Sequence, residues 1–203
     1  MIPISSQPLV LASASMSRAK LLAQAGLSVF CDASGLDEGA IKTAYLAQDR
    51  DATGCAEALA EAKARMVSIR HPGALVIGAD QILQCEGEWY DKPTSLEEAR
   101  SHLEKLRGRE HVLVSAVCVV RDDALLWHHV DKPRLIMRDF TEGFLDDYLA
   151  MIGEGAFTSV GAYQLEGFGA QLFSRISGDY FSILGLPLLA LLDFLRLQRV
   201  VRE

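Results

Sequence analysis

The chain has 203 residues, half of them apolar and 23% charged, which gives it enough material for a sizeable core and excludes disorder or a low-complexity scaffold. A formal net charge of −7 excludes a broadly basic surface, so no nucleic-acid partner is expected and any phosphate site must be local. The four cysteines, Cys31, Cys55, Cys85 and Cys118, form no C-x-x-C pair, which leaves free buried thiols in a reducing compartment as the simplest account.

Met1 to Pro8 carries no basic stretch followed by a long apolar one, so no secretory leader is expected. Leu9 to Ala12 suits a buried strand, and beyond Ser13 to Ser17 the residues Leu21, Leu22 and Ala25 take up a helical period that Gly26 stops. A second strand over Ser28 to Asp32 leads into an acidic loop, Gly35 to Gly39. Helix follows, most clearly over Ala56 to Ile69, where Leu59, Ala62, Met66 and Ile69 form a stripe at helical spacing. His71-Pro72-Gly73 ends it, and the continuous apolar run Ala74 to Ala79 predicts a strand buried on both faces with Asp80 at its end.

Gln81 to Tyr90 reads as a hairpin turning at Glu86-Gly87-Glu88, and Thr94 or Ser95 caps a helix reaching Leu106. Val112 to Val120 and Leu125 to Met137 are strand-like arms around Arg121-Asp122-Asp123. Thr141 caps a helix to Ile152, a Gly-rich segment runs from Gly161 to Gly178, and the end is helical over Leu188 to Arg199. The apolar stretch Leu184 to Leu192, broken by Gly185 and Pro187, falls far short of the roughly 20 residues a membrane span needs. Strands alternating with helices, plus a long hairpin, predict a single α/β domain over residues 1–203 with a mixed sheet, cytoplasmic and with no membrane partner.

Ser13 to Arg18 sits where a strand passes into a helix, so its N–H groups, hydroxyls and guanidinium suit either a helix cap or a phosphate cradle. It is not a Walker A loop. Asp80, following a buried strand, suits a divalent cation or a proton taken from water as well as it suits a turn. Asp37 and Glu38 form a second acidic pair, and Lys63 and Lys92, solvated lysines by residue habit, would join Arg18 as three cations for a nucleotide's phosphates. The histidines, with His128 and His129 adjacent, make no ligand pattern, and neither G-x-S-x-G nor a cysteine context points to covalent catalysis.

Leu11-Ala12-Ser13-Ala14-Ser15, with Arg18 and Leu21-Leu22, resembles the opening motif of the Maf family of nucleotide pyrophosphatases. In the family's order follow Asp37-Glu38, Ala62-Lys63-Ala64, Val76 to Asp80, Lys92-Pro93, Leu106 to His111, Gly161-Ala162-Tyr163 and Gly178-Asp179-Tyr180 through Gly185-Leu186-Pro187. The resemblance implies an elongated α/β fold with a twisted mixed sheet flanked by helices, two lobes and a central cleft, related to inosine triphosphate pyrophosphatases, and a homodimer. It assigns Ser13, Ser15, Arg18, Lys63 and Lys92 to phosphate binding, Glu38 and Asp80 to a divalent cation, Mg²⁺ ahead of Mn²⁺, and Asp80 to catalysis.

The implied reaction is attack of water on the α-phosphorus of a nucleoside triphosphate, releasing the monophosphate and pyrophosphate. Ser17, Gln81 and Glu166 correspond to the positions that separate the family's dTTP/UTP and 7-methyl-GTP branches. Gln81 and Glu166 match the methyl-GTP branch, and a glutamate accepts from guanine N1–H and its exocyclic amine. Ser17 stands where the pyrimidine branch has arginine and the methyl-GTP branch an aromatic ring, and Met16 replaces a proline. Other readings are a dTTP/UTP pyrophosphatase, a phosphomonoesterase, and a non-catalytic nucleotide-binding regulator of septum formation in cell division.

Overall fold

In the computed structural model of the protein, which describes residues 8–48 and 51–202, the fully buried run Leu9–Leu11 forms β1 and the chain turns at Ser15 into α1, Met16–Gln24. The N-terminal stretch Met1 to Pro8 lies outside the described residues except for Pro8. β1 is paired on both edges by parallel strands, β2 (Phe30–Cys31) and β3 (Leu75–Cys85), which is why it reads as an unbroken apolar run. α2 (Glu38–Ala47) and α3 (Ala52–Ser68) make the crossover from β2 to β3. The acidic loop is therefore shorter than its sequence suggests: Asp37 caps α2, accepting from Ala40 N–H at 3.1 Å, and Glu38 opens that helix.

The buried face of α3 includes Cys55, Ala56, Leu59, Ala60, Lys63, Ala64 and Val67; of the expected stripe Leu59 is buried and Ala62 half-buried, while Met66 is 38% and Ile69 75% exposed. Close approach explains the exchange: a Cβ on Gly78 of β3 would collide with the Ala60 carbonyl oxygen and come within 2.8 Å of the Ala64 Cβ. Only small side chains fit at that contact, and Lys63 is carried inward on the same face.

The hairpin of β3 with β4 (Glu88–Tyr90) turns at Glu86-Gly87, and Ser95 caps α4 (Leu96–Leu106), accepting from Glu98 N–H at 3.1 Å. β5 (Glu110–Arg121) is flanked by an arm that Lys132-Pro133 interrupts, giving β6 (Ala124–Asp131) and β7 (Arg134–Met137), both antiparallel to β5. Thr141 caps α5 (Glu142–Ile152), and the Gly-rich segment holds 3₁₀ turns and a strand not foreseen in the sequence, β8 (Phe173–Ser177), paired with β7. α6 (Tyr180–Ile183) and α7 (Leu188–Leu197) close the chain.

The eight strands form a mixed sheet, as expected of the α/β class. The chain divides into two compact units, the first comprising residues up to Asp80, Ser115–Asp131 and those from Tyr180 onward, the second Gln81–Val114 and Lys132–Asp179. In the first, Leu11, Leu22, Leu75, Ile77, Val119, Leu186, Leu191 and Leu195 are core residues joining the sheet to α1 and α7. Cys55, Cys85 and Cys118 are buried free thiols, while Cys31, at the short β2, is exposed, against expectation.

In the second unit His111 is buried, its Nε2 2.8 Å from the Tyr163 hydroxyl and its Nδ1 without a partner. Burial pushes its pKa down to about 4, below the usual 6.5 or so of a solvated histidine. The unfolded chain therefore binds the extra proton first, and stability that is intact above about pH 6.5 is lost as the pH falls toward 4. Urea titrations at pH 7 and pH 4.5 should show wild type losing roughly 2–3 kcal/mol more than His111→Gln. Equal losses in the two proteins would remove His111 as the cause.

Candidate active site in the first unit

Seven of the residues singled out in the sequence lie in the first unit around the end of β1 and the middle of β3. Asp80 is not at a strand end, because β3 continues to Cys85. It is β1 that stops, at Leu11, beside Ile77. The C-terminal end of that parallel strand, with neighbours on both sides, is where an α/β sheet leaves room for a ligand.

At the turn after β1, Ser13 Oγ accepts from Ser15 N–H at 3.1 Å and from Arg18 Nη1 at 3.2 Å. Ser15 Oγ caps α1 by accepting from Arg18 N–H at 3.4 Å. Arg18 Nε donates to the Gly185 carbonyl at 2.8 Å, so the guanidinium is held from two sides. Capping and cradle are thus compatible: both hydroxyl oxygens accept from the backbone, and their protons remain for an anion. Ser17 is half-buried in the first turn of α1.

From α3, Lys63 Nζ reaches Asp80 Oδ1 at 2.6 Å and Glu38 Oε1 at 2.7 Å. Lys63 is 5% and Asp80 3% exposed, whereas the Glu38 side chain is 44% exposed. Burial lowers the Arg18 pKa, opposed by the charges of Asp80 and then Glu38. The guanidinium stays charged regardless, and its coupling to both carboxylates places it in the same cluster. Among the described residues Arg18 and Lys63 stand against Asp80 and Glu38 there, two cations to two anions, while Asp80 Oδ2 is buried with no hydrogen-bond partner.

A bare buried carboxylate oxygen is costly and calls for a partner. Among the described residues no group of three or more His, Cys, Asp or Glu suits a metal ion, so a closed zinc or calcium cage is not built here. Two carboxylates, each with one oxygen outside the Lys63 ion pairs, do fit a hard divalent cation that takes its other ligands from water and phosphate.

The other three singled-out residues belong to the second unit. Gln81 is half-buried in β3 directly after Asp80, Lys92 is exposed between β4 and α4, and Glu166 is exposed among the 3₁₀ turns. Two contributors escaped the sequence reading: Gly78, whose bare Cα admits α3, and the Gly185 carbonyl. An isolated glycine inside an apolar strand was a usable signal for the first; a backbone carbonyl leaves none.

The sequence pattern of the family described as Maf-like protein matches residues 8–198. The chain belongs to the Maf family. Among its relatives, a nucleoside triphosphate pyrophosphatase of Paramagnetospirillum magneticum is 54% identical over 92% of this chain and 96% of that protein. A 7-methyl-GTP pyrophosphatase of Rhizobium meliloti is 49% identical, covering 93% and 94%. A second of that description, from Brucella abortus, is 45% identical, covering 95% and 97%. The Maf match takes in all ten side chains considered above and Gly185.

Proposed function

We propose that this Maf protein hydrolyses nucleoside triphosphates between the α- and β-phosphates, releasing a monophosphate and pyrophosphate, with 7-methyl-GTP as its preferred substrate. The observation that carries the reading is the buried Lys63–Asp80 pair with Asp80 Oδ2 left open. Lys63 fixes one oxygen of the carboxylate, and the other is available to a water proton as the water oxygen bonds to the α-phosphorus. The bond from that phosphorus to the bridging oxygen breaks, pyrophosphate leaves, and the proton passes from Asp80 to solvent.

Ser13, Ser15, Arg18 and Lys63 bind and neutralise the phosphates, with Lys92 retained in that role from the family resemblance. Glu38 and Asp80 would hold a divalent cation, Mg²⁺ ahead of Mn²⁺, which when bound supplies further neutralisation of the developing charge. A neutral cluster that must receive a polyanion supports this need for added positive charge. Gln81, Glu166 and Ser17 form the base-selecting set, supported by the methyl-GTP pyrophosphatases among the relatives. The same reading places the protein in the cytoplasm, which four free thiols suit, as the homodimer the resemblance implies.

A panel of 7-methyl-GTP, GTP, dTTP and UTP, assayed for pyrophosphate and orthophosphate with Mg²⁺, Mn²⁺ or chelator, tests the proposal. Expected are pyrophosphate only, fastest turnover of 7-methyl-GTP, and loss of activity with chelator. Orthophosphate as the primary product would overturn the bond assignment, faster dTTP and UTP the base assignment, and chelator-resistant turnover the cation.

A further inference from the structure

Ser182 is fully buried and takes part in three hydrogen bonds at the start of the turn that ends on Gly185. Its hydroxyl donates to Asp131 Oδ2 at 2.6 Å, and its carbonyl accepts the Ser115 hydroxyl at 2.7 Å and the Gly185 N–H at 3.1 Å. Ser115 and Asp131 are register partners across β5 and β6, and the second Asp131 oxygen lies 3.0 Å from His129 Nε2. Ser115 and Asp131 are also the points at which the chain enters and leaves the first unit, so the node is anchored in the sheet.

The turn this node fixes ends at Gly185, whose φ of +95° aims its carbonyl and suits glycine. That carbonyl takes Arg18 Nε–H. Of the five guanidinium N–H donors, Nε–H and one on Nη1 are held by Gly185 and Ser13, and among the described residues no partner holds the rest, which suit an anion. Buried hydroxyls and a carboxylate are costly to desolvate, and when fully paired they specify a single geometry. Here the atom whose direction they specify is the one that orients a phosphate-binding arginine.

We propose that Ser182, held by Asp131 and Ser115, is a positioning residue for Arg18: it sets the Gly185 carbonyl so that the guanidinium meets a triphosphate already oriented. The proposal rests on Arg18 as a phosphate ligand, the reading argued above. Three measurements on the full chain test it: kcat and KM, calorimetric Kd for a non-hydrolysable triphosphate, and hydrogen exchange of Arg18 Nε–H by NMR.

Ser182→Ala and Asp131→Ala are expected to raise KM and Kd about tenfold with kcat within about twofold, because orientation of the bound polyanion is lost. Asp131→Asn, whose amide oxygen still accepts the Ser182 hydroxyl, should stay near wild type. In an Arg18→Ala background Ser182→Ala should add little, and in wild type it should speed Nε–H exchange. Equal Ser182→Ala penalties in both backgrounds, or unchanged Nε–H exchange, would overturn the proposal. So would lower melting temperatures in all node variants with Nε–H protection retained. If wild type hydrolyses no triphosphate, the functional reading fails while the exchange measurement still decides this one.

Discussion

Asp80→Asn is expected to lower pyrophosphate release by about 10²–10⁴-fold, the range spanned by a positioned proton acceptor, while the variant melts within a few degrees of wild type. The two halves of this expectation have separate causes. An amide in place of the carboxylate keeps volume and shape, and its oxygen can still accept from Lys63, which also retains Glu38 at 2.7 Å. The large penalty for stranding a buried charge, on the order of 3–5 kcal/mol, is thereby avoided. What disappears is the basic oxygen that has no partner among the described residues. Pyrophosphate release together with a melting curve on one preparation separates the two effects. A variant that turns over as fast as wild type would show that Asp80 neither takes the proton nor holds the cation.

Sequence and structure agree most closely where one local rule sufficed. Ser95 and Thr141 cap α4 and α5 because their hydroxyls accept from the N–H three residues on. Glu86-Gly87 turns the β3–β4 hairpin, and the unbroken apolar run at Leu9–Leu11 is a strand paired on both edges. Where two rules competed, the tertiary one prevailed. Helical spacing puts Met66 and Ile69 on the inner face with Leu59, but the close approach to Gly78 at Ala60 and Ala64 turns a face with Lys63 inward and leaves Met66 and Ile69 exposed. Asp37 and Glu38 read as a loop because an acidic pair amid glycines looks like one, yet Asp37 is a helix cap. β8 was hidden because its pairing with β7 is long-range and its residues are largely exposed.

The site was legible as residue types and much less as geometry. Ser13, Ser15 and Arg18 stand within six positions of one another, so their convergence follows from the strand-to-helix turn alone. Lys63 with Asp80 and Glu38 required knowing that α3 turns its small-residue face inward, which the spacing of large side chains concealed. The Arg18–Gly185 contact joins positions 167 apart through a main-chain carbonyl, for which sequence carries no residue signal.

Gly78→Ala is expected to cost on the order of 3 kcal/mol of stability, at or above the upper part of the range for overpacked cores, and with it most of the activity. The added methyl would meet the Ala60 carbonyl, a backbone atom of a 17-residue helix, and the Ala64 Cβ at 2.8 Å. Neither can swing aside as a long side chain would, so α3 as a body must shift away from β3. Lys63 lies one turn after Ala60 and next to Ala64, and it reaches Asp80 at 2.6 Å, a distance with no slack for such a shift. Activity should therefore fall even at temperatures where the variant remains folded, whereas a substitution that only loosened the core would lose activity in step with folded fraction. The discriminating measurement is specific activity against folded fraction across a temperature series for Gly78→Ala and for Val67→Ala, which also unpacks buried α3 but leaves the Gly78 contact alone. Coincident curves for the two variants would show that close approach at Gly78 does not set the position of Lys63.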